Sequence, residues 1–147
     1  MTKAALSMVS KTSDHPFIVM NGDLLTNVNM DHLLNFHEQY RSQATMCVKE
    51  HDYKIPFGAV KADNHKLISI QEKPIQRFFI NAGIYVLAPE VLTLIPKDTC
   101  YDMPSLFSDL IKKKWECTVF PIREYWLDVG RREDFEKGGR DHVKGFD

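Results

Sequence analysis

Phe17-Ile18-Val19-Met20-Asn21-Gly22-Asp23 is a continuous apolar run broken at once by a polar, acidic turn. A short apolar run without alternation reads as a strand buried on both faces of a parallel sheet. The loop that follows such a strand lies in the crevice where open α/β sheets bind ligands. Outward from this stretch, Asn29 caps a helix whose apolar face holds Met30, Leu33, Leu34, His37 and Tyr40, with Asp31 in the favourable first turn. A strand is expected over residues 43–49. Residues 58–61 and 67–71 flank Asp63-Asn64, a turn signal, and make a hairpin. Residues 81–87 read as another strand, and Pro89 opens a helix through residue 95. Asp102 caps a helix with Leu106, Phe107, Leu110 and Ile111 on one face and Lys112, Lys113 and Lys114 at its negative end. Residues 117–122 form a strand, 126–130 a second loop, and 132–137 a helix stopped by Gly138-Gly139. On the other side of the opening stretch, residues 3–9 read as a short helix and 10–15 as a loop.

This alternation is α/β, without repeats or low-complexity linkers. A doubly wound sheet normally opens with a strand and a glycine-rich turn, whereas this chain opens in a helix. The expectation is therefore that residues 1–147 form the C-terminal part of one domain whose N-terminal segment lies outside them.

Composition narrows the function classes. With 44% hydrophobic and 11% aromatic side chains in 147 residues, the chain has enough apolar mass for a packed core. Its 19 basic and 20 acidic residues nearly cancel, which leaves no electrostatic footprint for nucleic acid or an anionic membrane. Any phosphate must be held by a few placed residues. No stretch reaches the roughly 18–20 apolar residues of a membrane helix, and the apolar part of Met1-Thr2-Lys3-Ala4-Ala5-Leu6 is too short for a signal peptide. The expected location is the cytoplasm. Cys47, Cys100 and Cys117 are odd in number and far apart, as reduced buried thiols are.

Few residues stand where chemistry is done. Asp23 follows the opening strand, and Asp128 sits in the comparable loop Tyr125-Trp126-Leu127-Asp128-Val129-Gly130. Two carboxylates brought together suit Mg²⁺, which takes one or two and leaves its other positions to water and phosphate; each aspartate also fits an ordinary turn. Glu72-Lys73-Pro74 places an acid beside a base at a strand end. Neighbouring side chains of a strand point to opposite faces, so both reach one ligand only if the strand ends there, as Pro74 allows. Lysine suits a phosphate and glutamate suits paired sugar hydroxyls, although a solvated charge pair reads the same way. Gly58 offers a close backbone approach or a plain bulge. His32 and His37 are five apart on their helix, the wrong spacing for a zinc pair. There is no Gly-x-Ser-x-Gly elbow and no Cys-x-x-Cys.

In order, Thr2-Lys3-Ala4-Ala5-Leu6, Val19-Met20-Asn21-Gly22-Asp23, Pro56-Phe57-Gly58-Ala59-Val60, Glu72-Lys73-Pro74, Asn81-Ala82-Gly83-Ile84-Tyr85 and Trp126-Leu127-Asp128-Val129-Gly130 resemble the sugar-1-phosphate nucleotidylyltransferase family. These stretches cover almost the whole chain. The resemblance implies a partial doubly wound, Rossmann-like mixed sheet with flanking helices, of the nucleotide-diphospho-sugar transferase type. It implies Mg²⁺ on Asp23 and Asp128, catalysis by these two with Lys73, and a sugar-phosphate site lined by Gly58, Glu72, Lys73, Asn81 and Trp126. The substrates would be a nucleoside triphosphate and a sugar 1-phosphate, and a homo-oligomer is expected. The segments around Phe79, Asp102 and Ile122 favour GTP with mannose 1-phosphate or an amino-sugar 1-phosphate. The family's glycine-rich Gly-x-Gly-x-Arg-Leu signature is absent, so these 147 residues alone are expected to be inactive. Two other readings share the same residues: a non-catalytic sugar-phosphate-binding or interaction module, and a metal-dependent glycosyltransferase of similar sheet architecture.

Overall fold

The computed structural model describes residues 14–130, apart from 98 and 100. The helices expected over 3–9 and 132–137 lie outside the described residues, as does Cys100. The strands are β1 (Phe17–Met20), β2 (Leu24–Thr26), β3 (Ala44–Lys54), β4 (Ala59–Asp63), β5 (Lys66–Gln71), β6 (Ile75–Leu87), β7 (Cys117–Pro121) and β8 (Trp126–Asp128). The helices are α1 (Met30–Gln39) and α2 (Met103–Lys112), and the helix expected from Pro89 is a 3₁₀ helix over Pro89–Leu94. Asn29 and Asp102 cap α1 and α2 by accepting from the backbone N–H groups of His32 and Ser105. No described helix is long and apolar enough to cross a membrane.

The main sheet has the order β1-β6-β3-β7. β6 runs antiparallel to both β1 and β3, and only β3 and β7 are parallel. This corrects the reading of Phe17–Met20. Among the described residues β1 pairs on one side only and is half-buried to exposed. The strand buried on both faces is the second half of β6. Tyr85 and Leu87 enter a core with Val91, Met103, Leu106, Phe107 and Leu110, while Ala82, Ile84 and Val86 enter one with Val28, Leu33 and Cys47. Alternate residues of one strand thus feed α2 on one side and α1 on the other, which is the doubly wound arrangement. Ile111 and Tyr40, expected on buried faces, are 64% and 56% exposed, because each lies at the flank of its helix's apolar stripe near the last turn.

β3 and β6 are longer than expected. Beyond the sheet they continue as a two-stranded arm, Lys49↔Ile80 through Lys54↔Ile75, with the β4–β5 hairpin between their outer ends. Arg77, on the arm, bonds Asp52 and approaches Glu50. Cys47 is fully buried and its thiol is pushed up to about 12, by burial first and by Glu124 second. Cys117 is half-buried and shifted upward by burial, and neither cysteine is bridged.

A buried polar chain joins α1 to the parallel strands. The Ser42 hydroxyl donates to the carbonyl of Ala44 at 2.7 Å and accepts from Thr118 Oγ1 at 3.1 Å. Thr118 Oγ1 therefore accepts from Thr45 Oγ1 at 2.8 Å, and Thr45 Oγ1 accepts from His37 Nδ1 at 2.8 Å. This order fixes the neutral tautomer with its proton on Nδ1. Burial holds the His37 pKa below its ordinary 6.5, with Glu38 opposing in part. The unfolded chain therefore takes up a proton that the folded chain resists, so this contribution is complete above pH 6.5 and is lost on acidification. Denaturant midpoints measured from about pH 7.5 down to about pH 5.5 should fall, and His37→Gln should flatten that slope. An identical slope in the variant would show that His37 is not its source.

Candidate active site

The chain leaves β1 beside a bulge in β6. Between the pairs Met46↔Tyr85 and Val48↔Asn81, β3 has one residue and β6 has three, Ala82, Gly83 and Ile84. Gly83 adopts φ +72°, the left-handed region that glycine enters freely. Its carbonyl accepts from the Asn21 N–H at 2.9 Å. A Cβ added at Gly83 would stand 2.6 Å from Asn21 Nδ2. Asn21-Gly22-Asp23 is thus held against the bulge before the chain turns into β2.

β2 pairs with β8, Leu24↔Asp128, Leu25↔Leu127 and Thr26↔Trp126. Trp126–Asp128, expected as loop, is therefore strand. Each segment has only three residues and needs the other for its ladder, so neither shows a period of its own. The pairing brings Asp23 and Asp128 together, and the Val129 N–H donates to the Asp23 carbonyl at 2.8 Å. The Gly130 N–H donates to Asp128 Oδ1 at 2.8 Å. A Cβ added at Gly130 would lie 3.0 Å from Asp128 Oδ1 and 3.0 Å from Asp23 Oδ2. Both carboxylates thus border one small space, which glycine leaves open. The ion pairs found among the described residues all lie elsewhere, on Arg77 and Lys112.

The other expected site residues divide between the bulge and the arm. Asn81 Oδ1 accepts from the Gly83 N–H at 2.9 Å and its Nδ2 donates to the Tyr85 hydroxyl at 2.9 Å. Burial pushes that hydroxyl's pKa upward, and the bond from Asn81 opposes the shift. Trp126 is half-buried and donates its indole N–H to the Ala82 carbonyl at 2.8 Å. Asn81 and Trp126 thus both brace the bulge. On the arm, β5 ends at Gln71, and Glu72 and Lys73 form a bend before Pro74, whose carbonyl accepts from the Ile55 N–H. Lys73 has φ +44°, unusual for a lysine and more so before proline. A Cβ added at Gly58 would lie 3.3 Å from Glu72 Oε2, so these two are neighbours. Gly58, Glu72 and Lys73 are all exposed, and no hydrogen bond or ion pair among the described residues joins them to the carboxylate pair. Sequence reasoning did not single out Asn21 or Gly83. A glycine inside an apolar strand was the available signal, since it marks a bulge or a close backbone approach.

The Nucleotidyl transferase family matches residues 2–144. The chain is 31% identical over 135 residues to a mannose-1-phosphate guanyltransferase of Candida albicans, covering 88% of this chain and 37% of that protein. Against the Saccharomyces cerevisiae mannose-1-phosphate guanyltransferase it is 31% identical over 136 residues, with the same two coverages. It thus spans little more than a third of the length of these relatives. Its fold matches that of HddC from Yersinia pseudotuberculosis, with a TM-score of 0.66 and 23% identity over 96% of this chain and 62% of that one. It also matches a putative glucose-1-phosphate thymidylyltransferase from Bacillus anthracis, with a TM-score of 0.59 and 17% identity over 87% and 55% of the two chains. These neighbours carry the nucleotide-diphospho-sugar transferase fold.

The two glycines of the site differ in what they permit. Gly83→Ala meets a left-handed backbone and the Asn21 amide at once, and should cost roughly 1–3 kcal/mol of stability. Gly22 has nothing within 4 Å of an added Cβ, and Gly22→Ala should be close to neutral. Urea unfolding of both variants checks this, and equal midpoints would contradict it.

Proposed function

This chain belongs to the nucleotidyl transferase family, and we propose that it carries the metal and sugar-phosphate side of a sugar-1-phosphate nucleotidylyltransferase. In this reading residues 1–147 are the C-terminal portion of a single nucleotidylyltransferase domain. The full-length protein joins a nucleoside triphosphate, GTP by preference, to mannose 1-phosphate or an amino-sugar 1-phosphate and releases pyrophosphate in the cytoplasm. The preference for GTP and mannose rests on the mannose-1-phosphate guanyltransferases among its relatives.

The observation that carries this reading is the space at Gly130 bordered by oxygens of both Asp23 and Asp128. Carboxylates facing one small space repel, and a hard cation between them relieves the repulsion. Among the described residues there is no group of three or more His, Cys, Asp or Glu side chains in ligating array. Two carboxylates suit Mg²⁺, which keeps water and phosphate oxygens as its other ligands, better than a zinc site closed by protein side chains. When bound there, Mg²⁺ supplies neutralisation of charge on the phosphate oxygens.

The remaining roles follow from donor chemistry. Lys73 meets the sugar phosphate as a point charge, and Glu72 accepts from sugar hydroxyls. Gly58, beside Glu72, lets a sugar ring approach the backbone. Asn81 and Trp126 line the sugar site while holding the bulge that forms its floor. With the sugar phosphate so oriented, one of its oxygens attacks the α-phosphorus of the triphosphate in line. The new P–O bond forms as the α–β bridge breaks, and the electron pair leaves on pyrophosphate.

Lys73 acts on the ground-state phosphate, whereas Asp128 acts where charge develops. In the full-length protein, Lys73→Ala should therefore raise the sugar-phosphate KM about ten-fold or more, while Asp128→Asn should mainly lower kcat. Steady-state kinetics with both substrates varied checks this, and an unchanged KM and kcat in both variants would remove the assignment.

The 147 residues alone lack the glycine-rich signature that cradles a triphosphate, and the reading makes them inactive by themselves. It also makes them self-associating. Phe57, Val60, Leu67, Ile70, Ile75 and Phe79 on the arm and hairpin are each more than half exposed. Burying each such side chain is worth roughly 1.5–3 kcal/mol, and unpaired strand edges add to the drive. Sedimentation should show oligomers at micromolar concentration, and metal-dependent pyrophosphate release should be absent. A stable monomer, or turnover at an ordinary enzyme's rate, would overturn the respective half.

A further inference from the structure

The route by which Asp128 reaches Asp23 is long. β7, which precedes Asp128, lies at one edge of the order β1-β6-β3-β7, while β2, the partner of β8, follows β1 at the other edge. Residues 122–126 must therefore cross the end of the sheet over β3 and β6. Residues 122–125 have no ladder before Trp126 joins β8, and three side chains, of Lys49, Thr26 and Trp126, tie this stretch to β3, β2 and β6.

Over β3, Lys49 Nζ donates to the carbonyl of Glu124 at 3.1 Å and to that of Ile122 at 3.4 Å. Over β6, the Trp126 indole donates to the Ala82 carbonyl at 2.8 Å. At β2, Thr26 Oγ1 donates to the Tyr125 carbonyl at 2.7 Å, and the Asn27 N–H reaches the same oxygen at 3.3 Å. The crossing begins where the Ile122 N–H donates to the Val48 carbonyl at 2.8 Å, directly before Lys49 on β3.

Lys49 is the charged member of this series. Lys49 is half-buried and forms none of the ion pairs found among the described residues, and its ammonium turns to backbone carbonyls. Its ammonium spends two of its three donors on carbonyls either side of Arg123, where the chain turns away from β7. The 3.1 Å bond to Glu124 is the firmer of the two and the 3.4 Å contact to Ile122 the looser, and together they bridge the turn as a staple.

We propose that Lys49 is a positioning residue for the carboxylate pair: by stapling Ile122 and Glu124 it sets the path of the crossing and so the distance between Asp128 and Asp23. It touches neither substrate nor metal. The proposal rests on the reading of Asp23 and Asp128 as a cation site, and places one determinant of that site's affinity on β3, outside every motif of the family resemblance.

Binding of Mn²⁺ alone to the 147-residue chain, followed by electron paramagnetic resonance, tests it. Substitution of groups that orient metal ligands commonly costs about 10- to 100-fold in metal affinity. Lys49→Met should weaken Mn²⁺ binding within that range, and Thr26→Val, which removes the tie at β2, should weaken it in the same direction. Lys49→Arg, which keeps the charged donor, should restore most of the affinity. Lys61→Met, on the exposed β4–β5 hairpin, should leave it unchanged. If Lys49→Met does not fold, Lys49→Gln takes its place in the comparison. Wild-type affinity in a folded Lys49 variant overturns the proposal. The underlying site reading fails separately, if Asp23→Asn and Asp128→Asn bind Mn²⁺ as the wild type does; an effect of Lys49→Met confined to thermal stability would leave it a structural residue only.

Discussion

The bulge in β6 is the constraint on which the rest depends. Two extra residues opposite Cys47 break the β3–β6 ladder at the end of the sheet where β1 finishes. Backbone carbonyls that a regular ladder would have used become free, and buried backbone groups require partners. Gly83 and Ala82 find them in the Asn21 N–H and the Trp126 indole, which belong to the two segments carrying Asp23 and Asp128. The same residues therefore both repair the sheet and assemble the carboxylate pair. A net hydrogen bond is worth only about 0.5–1.5 kcal/mol, but a buried carbonyl left unpaired costs about 1–3 kcal/mol. It is this asymmetry, more than the strength of either bond, that holds the two segments in place.

The bulge also separates two environments along one strand. Beyond it, β6 is wholly buried between α1 and α2; before it, residues 75–79 are exposed with their β3 partners on the arm. The packed end supports the carboxylates, and the arm carries Gly58, Glu72 and Lys73. Lys73 keeps a left-handed backbone that costs of order 1–3 kcal/mol, and such strain persists only where the surrounding turn determines it. Here the turn is closed by Pro74 and its bond from Ile55.

Where a signal is local, the sequence carried it. Asn29 and Asp102 reach backbone N–H groups three residues on, so their caps were legible, and so was the turn at Asn64, whose φ of +49° suits asparagine. The doubly wound class followed from alternating elements. Phe17–Met20 misled because an apolar run says that a strand is covered without saying on how many sides. The outer half of β6 was missed because Gln76, Arg77 and the exposed phenylalanines show no buried face; the segment is strand only through β3. Asp23 and Asp128 were legible as acidic residues in comparable loops, but the β2–β8 pairing that joins them spans about a hundred residues of chain. Lys49 and Thr26 act on carbonyls of residues 122–125, and a carbonyl is the same whatever the side chain, so no motif announces it.

That last point bears on how such a site tolerates change. Contacts to backbone carbonyls constrain the donor and not the side chain of the acceptor residue, so the path of the chain is kept by Lys49, Thr26 and Trp126. The arm works the other way. Its Glu72 and Lys73 side chains are exposed and held by a turn rather than by a core, and segments with few buried contacts open at low free energy. In the proposed reading the carboxylates are held by the packed end, whereas Glu72 and Lys73 are held only by the turn at Pro74. On the proposed function, altered sugar preference would be reached by changing Glu72 and its neighbours on the arm, whereas changes at the bulge or the crossing would first cost the integrity of the carboxylate pair.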